Sequence, residues 1–309
     1  MSIGERGITY HSVLSTHDSP LSLRIADINI SILSQDPELR IGVDGVAKQF
    51  LVKQANPDVV VQASWGNHFV KAKGKKIFDS GALWQLYSEN GSYLFRFTSS
   101  ALGSHPYKVA SFNRDFTKGE ISLNCSYFDS DQPTYPLEYP LDELLLTNIL
   151  ALGKGVEVHA CGVVDTQGRG HLFVGQSETG KTTMARLWEN GGGITVLSDD
   201  RIILRKADKK IWMYGTPWHG EARLASPLRV PLTKIYLLQK GLKNELIPLK
   251  NSDGVGRLFS CSFVPLYNPE AIDFTLSFFN EVIGTTPCFE IRFLPDKKVV
   301  EFIKGERFT

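Results

Sequence analysis

Val174-Gly175-Gln176-Ser177-Glu178-Thr179-Gly180-Lys181-Thr182-Thr183 satisfies the pattern G-x-x-x-x-G-K-[ST] at every required position. The pattern describes a loop whose backbone amides cradle phosphate, and it has physical meaning only between an incoming strand and an outgoing helix. Both flanks are present. His171–Val174 is an apolar run suited to a buried strand, and Thr182–Trp188 places Met184, Leu187 and Trp188 on one helical face. Gly180 lets the backbone approach phosphate, and the amides of the helix start then point at the anion. In this frame Lys181 reaches the β/γ-phosphates and the Thr182 hydroxyl ligates Mg²⁺. Gly175, Gln176, Ser177, Glu178, Thr179, Gly180, Lys181, Thr182 and Thr183 are therefore the expected nucleotide contacts.

Working outward, Val156–Val164 reads as a strand, Asp165–Gly168 as a turn into the strand before the loop, and Gly191-Gly192-Gly193 as a stop for the loop helix. Ile194–Asp200 is a further strand that ends in two carboxylates, Asp199 and Asp200, at the carboxyl edge where ligands of α/β sheets bind. Phosphoryl transfer needs two tasks from such a pair. One carboxylate holds Mg²⁺, directly or through water, while the other takes the proton of the attacking hydroxyl. Ile202–Leu204 and Ile211–Tyr214 form a hairpin through Ala207–Lys210, leading to Gly215–Glu221, a loop too polar and aromatic for a minimal connector. Within it, Trp218 and His219 are candidates for contacting a phosphoacceptor. Further on, Leu232–Gln239 and Cys288–Phe293 read as strands. Pro269–Ile283 reads as a helix with Ile272, Leu276, Phe279 and Ile283 on one face, and Lys298–Lys304 as a terminal helix. Phe274, Phe278, Phe279, Phe289 and Phe293 are core residues by this reading, because no basic residues interleave with them as base stacking would require.

The first part of the chain reads mainly as β structure: Leu21–Leu33, Phe50–Val61, Tyr93–Thr98, Tyr107–Phe112 and Glu120–Tyr127, separated by turn clusters such as Ser88–Ser92 and Asn113–Gly119. Its histidines, His11, His17, His68 and His105, stand apart from one another and from any paired carboxylate. Three prolines within Gln132–Pro140 suit an extended connector. Leu141–Leu152 then reads as a helix with Leu144, Leu145, Ile149 and Leu152 on one face and Asp142 and Glu143 in its first turn. The expected division is a β-rich domain over residues 1–140 and a nucleotide-binding α/β domain over residues 141–309.

Composition narrows the function classes. Lys plus Arg (34) nearly balance Asp plus Glu (33) across 309 residues, which supplies no global field for nucleic acid or an anionic membrane. Neither a secretion leader nor an apolar run of membrane length is present, so a soluble cytoplasmic protein is expected. Cys125, Cys161, Cys261 and Cys288 are far apart and form no C-x-x-C, which predicts reduced thiols rather than a disulfide framework or a zinc site.

From about Val158 to Asp200 the chain resembles the HPr serine kinase/phosphorylase group, whose C-terminal domain is related to the nucleotide domain of phosphoenolpyruvate carboxykinase. The resemblance lies in His159, Gly162-Val163-Val164-Asp165, Gly168, the loop Gly175–Thr182 and Asp199-Asp200, in that order. It implies a P-loop α/β fold of that kind preceded by the β-rich domain. It also implies His159 beside the catalytic carboxylates, Lys181 on phosphate, Asp199 as general base, and Thr182, Asp200 and Glu221 toward Mg²⁺. The chain departs from the family at Glu178, where a glycine is usual, and at Gly215–Glu221, which lacks the glycine-rich signature of the bifunctional enzymes.

The resulting expectation is an ATP- and Mg²⁺-dependent kinase acting on a hydroxyl, in a serine of a small protein or peptide or in a small molecule. Nucleic-acid and membrane partners are not expected, and a homo-oligomer is left open. Two other readings stand beside it: a nucleotide-binding regulatory module without turnover, motivated by Glu178, and a carboxykinase-like activity.

Overall fold

The computed structural model describes residues 14–16, 20–53, 56–66, 74–100, 105–191 and 194–305. His11, His17, His68, Gly192 and Gly193 lie outside the described residues. The first half contributes β1 (Leu14–Thr16), β2 (Leu21–Ile25), β3 (Ile28–Ser34), β4 (Ile41–Val43), β5 (Val59–Trp65), β6 (Lys75–Asp79), β7 (Trp84–Glu89), β8 (Ser92–Thr98), β9 (Pro106–Phe112) and β10 (Lys118–Leu123). Eight of these form one sheet in the order β2-β3-β5-β10-β9-β8-β7-β6, while β1 pairs with β4. Alternation explains its inner face: Ile30 and Ile32 on β3, Val59, Val61 and Ala63 on β5, and Ile121 and Leu123 on β10 are all buried and in register.

Two sequence expectations shift here. Leu21–Leu33 is not one strand but a hairpin turning at Ala26-Asp27, whose φ angles of 50° and 57° match the twist of a two-residue hairpin turn. An alanine gives no turn signal, so the break was hidden. Gly45–Phe50 is a 3₁₀ helix, and the following strand begins only at Val59, after Pro57.

α1 (Leu141–Ala151) buries Leu141, Leu145, Leu146, Ile149 and Leu150 in the core of this first sheet, joined by Ile203, Tyr214 and Trp218 from the second half. Leu152, expected on the buried face, is 45% exposed, because the helix ends before it.

The second half adds β11 (Val156–Val164), β12 (Gly170–Val174), α2 (Lys181–Glu189), β13 (Thr195–Ser198), β14 (Arg201–Ala207), β15 (Lys210–Tyr214), β16 (Arg229–Lys240), β17 (Glu245–Pro248), α3 (Asn251–Ser260), β18 (Ser262–Phe263), α4 (Pro269–Thr285), β19 (Cys288–Phe293) and α5 (Lys298–Gly305). They build a nine-stranded mixed sheet in which β12 pairs with both β11 and β16, so the path β12-β11-β14-β15-β16 curls back on itself. The molecule is thus a mixed α/β protein with large sheets and few helices.

The period-2 pattern of β12 decides its layers. Leu172 and Val174 face one core with Leu258 of α3 and Phe279 and Val282 of α4, whereas Phe173 faces another with Met184 and Trp188 of α2 and Val299 and Ile303 of α5. On α4 the buried stripe is Ala271, Thr275, Phe278, Phe279, Val282 and Ile283. Leu276, expected inside, is 38% exposed. α3 was not legible because it contains Gly254 and Gly256. A Cβ at Gly254 would sit 3.1 Å from Ile283 Cδ1, so the glycine permits close packing of α3 on α4.

Candidate functional site

The loop 175–180 joins β12 to α2, and its shape follows from its residues. Gly175 leaves no room for a side chain, since a Cβ there would lie 2.2 Å from Thr179 Oγ1, the hydroxyl that ties the loop by donating to the Gln176 carbonyl at 2.8 Å. Gly180, at φ 108°, caps α2 in the left-handed region and packs under the Phe293 ring, which a Cβ would meet at 2.8 Å. Glu178 also takes a left-handed φ of 66°, which carries a steric cost for a residue with a Cβ. It is exposed and forms no ion pair with Arg186 among the described residues.

Lys181 is 6% exposed and curls over the loop, donating to the carbonyls of Gly175 at 2.9 Å and Gln176 at 3.0 Å. Burial pulls its pKa down, and the nearby Asp200 charge opposes that shift.

Backbone hydrogen bonds bring the separate pieces to this loop. His159 donates its amide to the Cys261 carbonyl at 2.7 Å, and its own carbonyl accepts from Gly175 at 3.4 Å. Ala160 donates to the Asp200 carbonyl at 3.1 Å. β11 therefore changes partner at His159, running against β14 before it and β12 after it, and carries the imidazole to the mouth of the loop.

One cavity of ≈ 440 Å³ is lined by His159, Ser177, Glu178, Gly180, Lys181, Thr182, Thr183, Asp200 and Glu221, together with Lys240 at the end of β16. Gly175, Gln176 and Thr179 face a neighbouring hollow of ≈ 230 Å³ beside Arg257 and Cys261. Asp199 lines neither.

The two aspartates differ in their partners. Asp199 is 1% exposed, and its oxygens accept the amides of Gly220 and Ala222, each at 2.9 Å. It holds the loop after Trp218. Asp200 instead accepts from His159 Nε2 at 2.9 Å and pairs with Arg201. Partial burial works to raise its pKa, but the His159 hydrogen bond and the charges of Arg201 and Lys181 outweigh it, and the carboxylate sits below its ordinary value.

Arg201, which sequence reading passed over, organises the wall behind Asp200. Its Nε lies 2.7 Å from Glu143 Oε1 and 3.6 Å from Glu157 Oε1, and its guanidinium lies over the Phe263 ring at 4.2 Å. Glu157 is fully buried. Desolvation and the Glu143 charge push its pKa up, the Arg201 guanidinium opposes them, and the Thr147 hydroxyl lies 3.0 Å from Oε2. The clue was positional, since Arg201 directly follows the aspartate pair. Lys240 had no comparable signal.

Trp218 and His219 do not line this cavity. The Trp218 carbonyl accepts from Ser198 Oγ at 3.0 Å with its ring inside the protein, and His219 is exposed, its Nδ1 3.0 Å from the Gly220 carbonyl.

The cavity's donors suit a hard cation that keeps most of its ligands from elsewhere. Thr182, Asp200 and Glu221 offer oxygens, while no three His, Cys, Asp or Glu side chains among the described residues converge as a preformed cage. Mg²⁺ is bound in this manner, through one or two carboxylates plus substrate phosphates and water. Among the described residues no helix is long and apolar enough to cross a membrane.

No family model matches the sequence, and no curated protein matches it. Among solved structures, the chain is similar to the HPr(Ser) kinase/phosphatase from Coxiella burnetii, with 11% identity over 48% of this chain and 93% of that one and a TM-score of 0.28. At that score the chemistry has to be judged from the cavity itself.

Proposed function

We propose that this protein is an ATP- and Mg²⁺-dependent kinase that transfers the γ-phosphoryl group to a hydroxyl, in a serine of a small protein or peptide or in a small molecule. One observation carries the reading: a single cavity gathers a lysine and a threonine at a glycine-capped helix start with a carboxylate–imidazole pair. In this reading phosphate oxygens replace the Gly175 and Gln176 carbonyls as acceptors for Lys181, and the amides at the start of α2 face the same anion. Thr182 and Glu221 would hold Mg²⁺, which would neutralise charge on the phosphates. Asp200 takes the base role expected of Asp199, because Asp199 would first have to release the amides of Gly220 and Ala222. The acceptor oxygen bonds to Pγ, the bond from Pγ to the bridging oxygen breaks, and the hydroxyl proton passes to Asp200. His159 steadies that carboxylate.

Lys181→Ala tests the assignment by calorimetry with ATP and Mg²⁺. The expected result is a loss of most nucleotide affinity in a variant that still unfolds cooperatively, and wild-type affinity in the variant would overturn the proposal. A second reading, a nucleotide-binding regulatory module, draws on Glu178, whose carboxylate lines the cavity where a triphosphate would lie. Tight ATP binding with no transfer to any hydroxyl would favour it.

A further inference from the structure

On the far side of the 216–221 loop lies a second cavity of ≈ 360 Å³, walled by Asp44, the proline-rich run before α1, the first turn of α1 and Trp218. It lies within the size range of small-ligand sites. Three of its lining residues are acidic (Asp44, Glu138 and Asp142), three are aromatic (Tyr135, Tyr139 and Trp218), and none is Lys or Arg. The acids are not equivalent. Glu138 is 3.4 Å from Lys108 Nζ, whereas Asp142 has no ion-pair partner among the described residues.

Asp142 is 5% exposed, and its Oδ1 accepts the Glu143 amide at 2.8 Å. Trp218, 8% exposed, turns its indole toward that carboxyl and helps offset the charge, but Nε1 makes no hydrogen bond of acceptable geometry. A carboxylate taken this far from water is costly unless a cation or several donors meet it. Aromatic faces beside it attract cations as well. We propose that this cavity binds an organic ammonium group, with Asp142 as its counter-ion and the rings of Tyr135, Tyr139 and Trp218 as its walls. The ammonium belongs either to the phosphoacceptor or to a separate amine effector; the site itself does not depend on the kinase reading.

The position supports such a ligand. Ser198 donates to the Trp218 carbonyl at 3.0 Å, Thr216 donates to the Arg201 carbonyl at 2.8 Å, and Asp199 holds Gly220 and Ala222, so one braced loop separates this cavity from the one containing Glu221.

The test is calorimetry of the full chain, without nucleotide, against choline, putrescine and Nα-acetyl-lysine amide, with Nα-acetyl-norleucine amide as the uncharged control. Saturable binding of at least one ammonium probe is expected, weakened about tenfold or more by Asp142→Asn and about threefold by Tyr139→Ala. Tyr139 is 60% exposed, so its variant remains informative if Asp142→Asn does not fold. Absence of binding by all three cations, equal binding of the norleucine control, or affinity unchanged by Tyr139→Ala would each overturn the proposal. With ATP and Mg²⁺ added, transfer of phosphate to the choline hydroxyl assigns the ammonium to an acceptor. Binding of choline without transfer assigns it to an effector, and either result upholds the site.

Discussion

Asp199 spends both oxygens on backbone amides at 1% exposure, whereas the Asp200 side chain stays 24% open beside His159. The expected consequences of removing each charge therefore separate. Asp200→Asn should lower turnover by about a hundredfold with ATP still bound, because general-base loss is felt in the chemical step. Asp199→Asn should instead cost about 2 kcal/mol of stability, since an amide group can accept from only one of the two backbone donors. Steady-state kinetics and urea denaturation on the same two variants check this, and a selective loss of turnover in Asp199→Asn would return the base role to that residue. Glu178 is a separate matter of charge. Glu178→Gly removes a carboxylate from a residue lining the cavity and relieves the steric cost of a Cβ at a left-handed φ of 66°. ATP affinity should tighten by up to about tenfold at low salt and by less as ionic strength rises. Unchanged affinity at low salt would show that the carboxylate is harmless and would weaken the regulatory-module reading.

Three elements meet behind the cavity: α1 brings Glu143, β11 brings Glu157 and His159, and β14 begins with Arg201. Burial works to lower the Arg201 pKa, but the Glu143, Asp200 and Glu157 carboxyls raise it overall, so the guanidinium stays charged. Arg201→Met would leave Glu143 and Asp200 without their shared cation. A broken buried pair typically costs about 3 kcal/mol or more. A fall in kcat with ATP affinity nearly preserved is the expected signature, measured beside thermal melting. Parallel losses of kcat and ATP affinity would mean that Arg201 holds the loop rather than Asp200. Arg201→Lys should rescue little, because one ammonium cannot bridge groups that the planar guanidinium spans.

At the scale of the molecule, stability should carry the mark of Lys108. This residue of β9 is 0% exposed, donates to the Glu138 carbonyl at 3.1 Å and lies over the Phe97 ring at 5.0 Å. Burial is the main reason that its pKa falls from 10.5 to about 8. Between those values the unfolded chain binds the proton and the folded chain does not, so stability contributed by this group rises as pH climbs from about 8 to 10.5. The full change is about 3 kcal/mol at 1.36 kcal/mol per pKa unit. Urea denaturation across that range should show the rise in the wild type relative to Lys108→Met. Parallel pH profiles would place Lys108 in contact with water.

Much of the second half was legible because local signals agree with their surroundings. Cys288–Phe293 alternates as a strand must, Pro269 opens a helix capped by Asn268, and the glycines at 175 and 180 mark backbone that tolerates no side chain. The candidate chemistry was legible for the same reason, since a phosphate loop depends on contiguous backbone. What spacing along the chain could not convey is direction. Asp199 and Asp200 follow a short strand that stops at Ser198, and only the return of Gly220 and Ala222 against it decides which carboxylate is consumed by structure. Glu143, Glu157 and Arg201 are likewise remote or unremarked in sequence and become one cluster only because α1 packs on β11 and β11 pairs with β14. Chain order by itself determined the loop, the helix after it and the nearby carboxylates. The long-range hydrogen bonds that place those groups on the cavity or away from it formed only when the second sheet closed on itself.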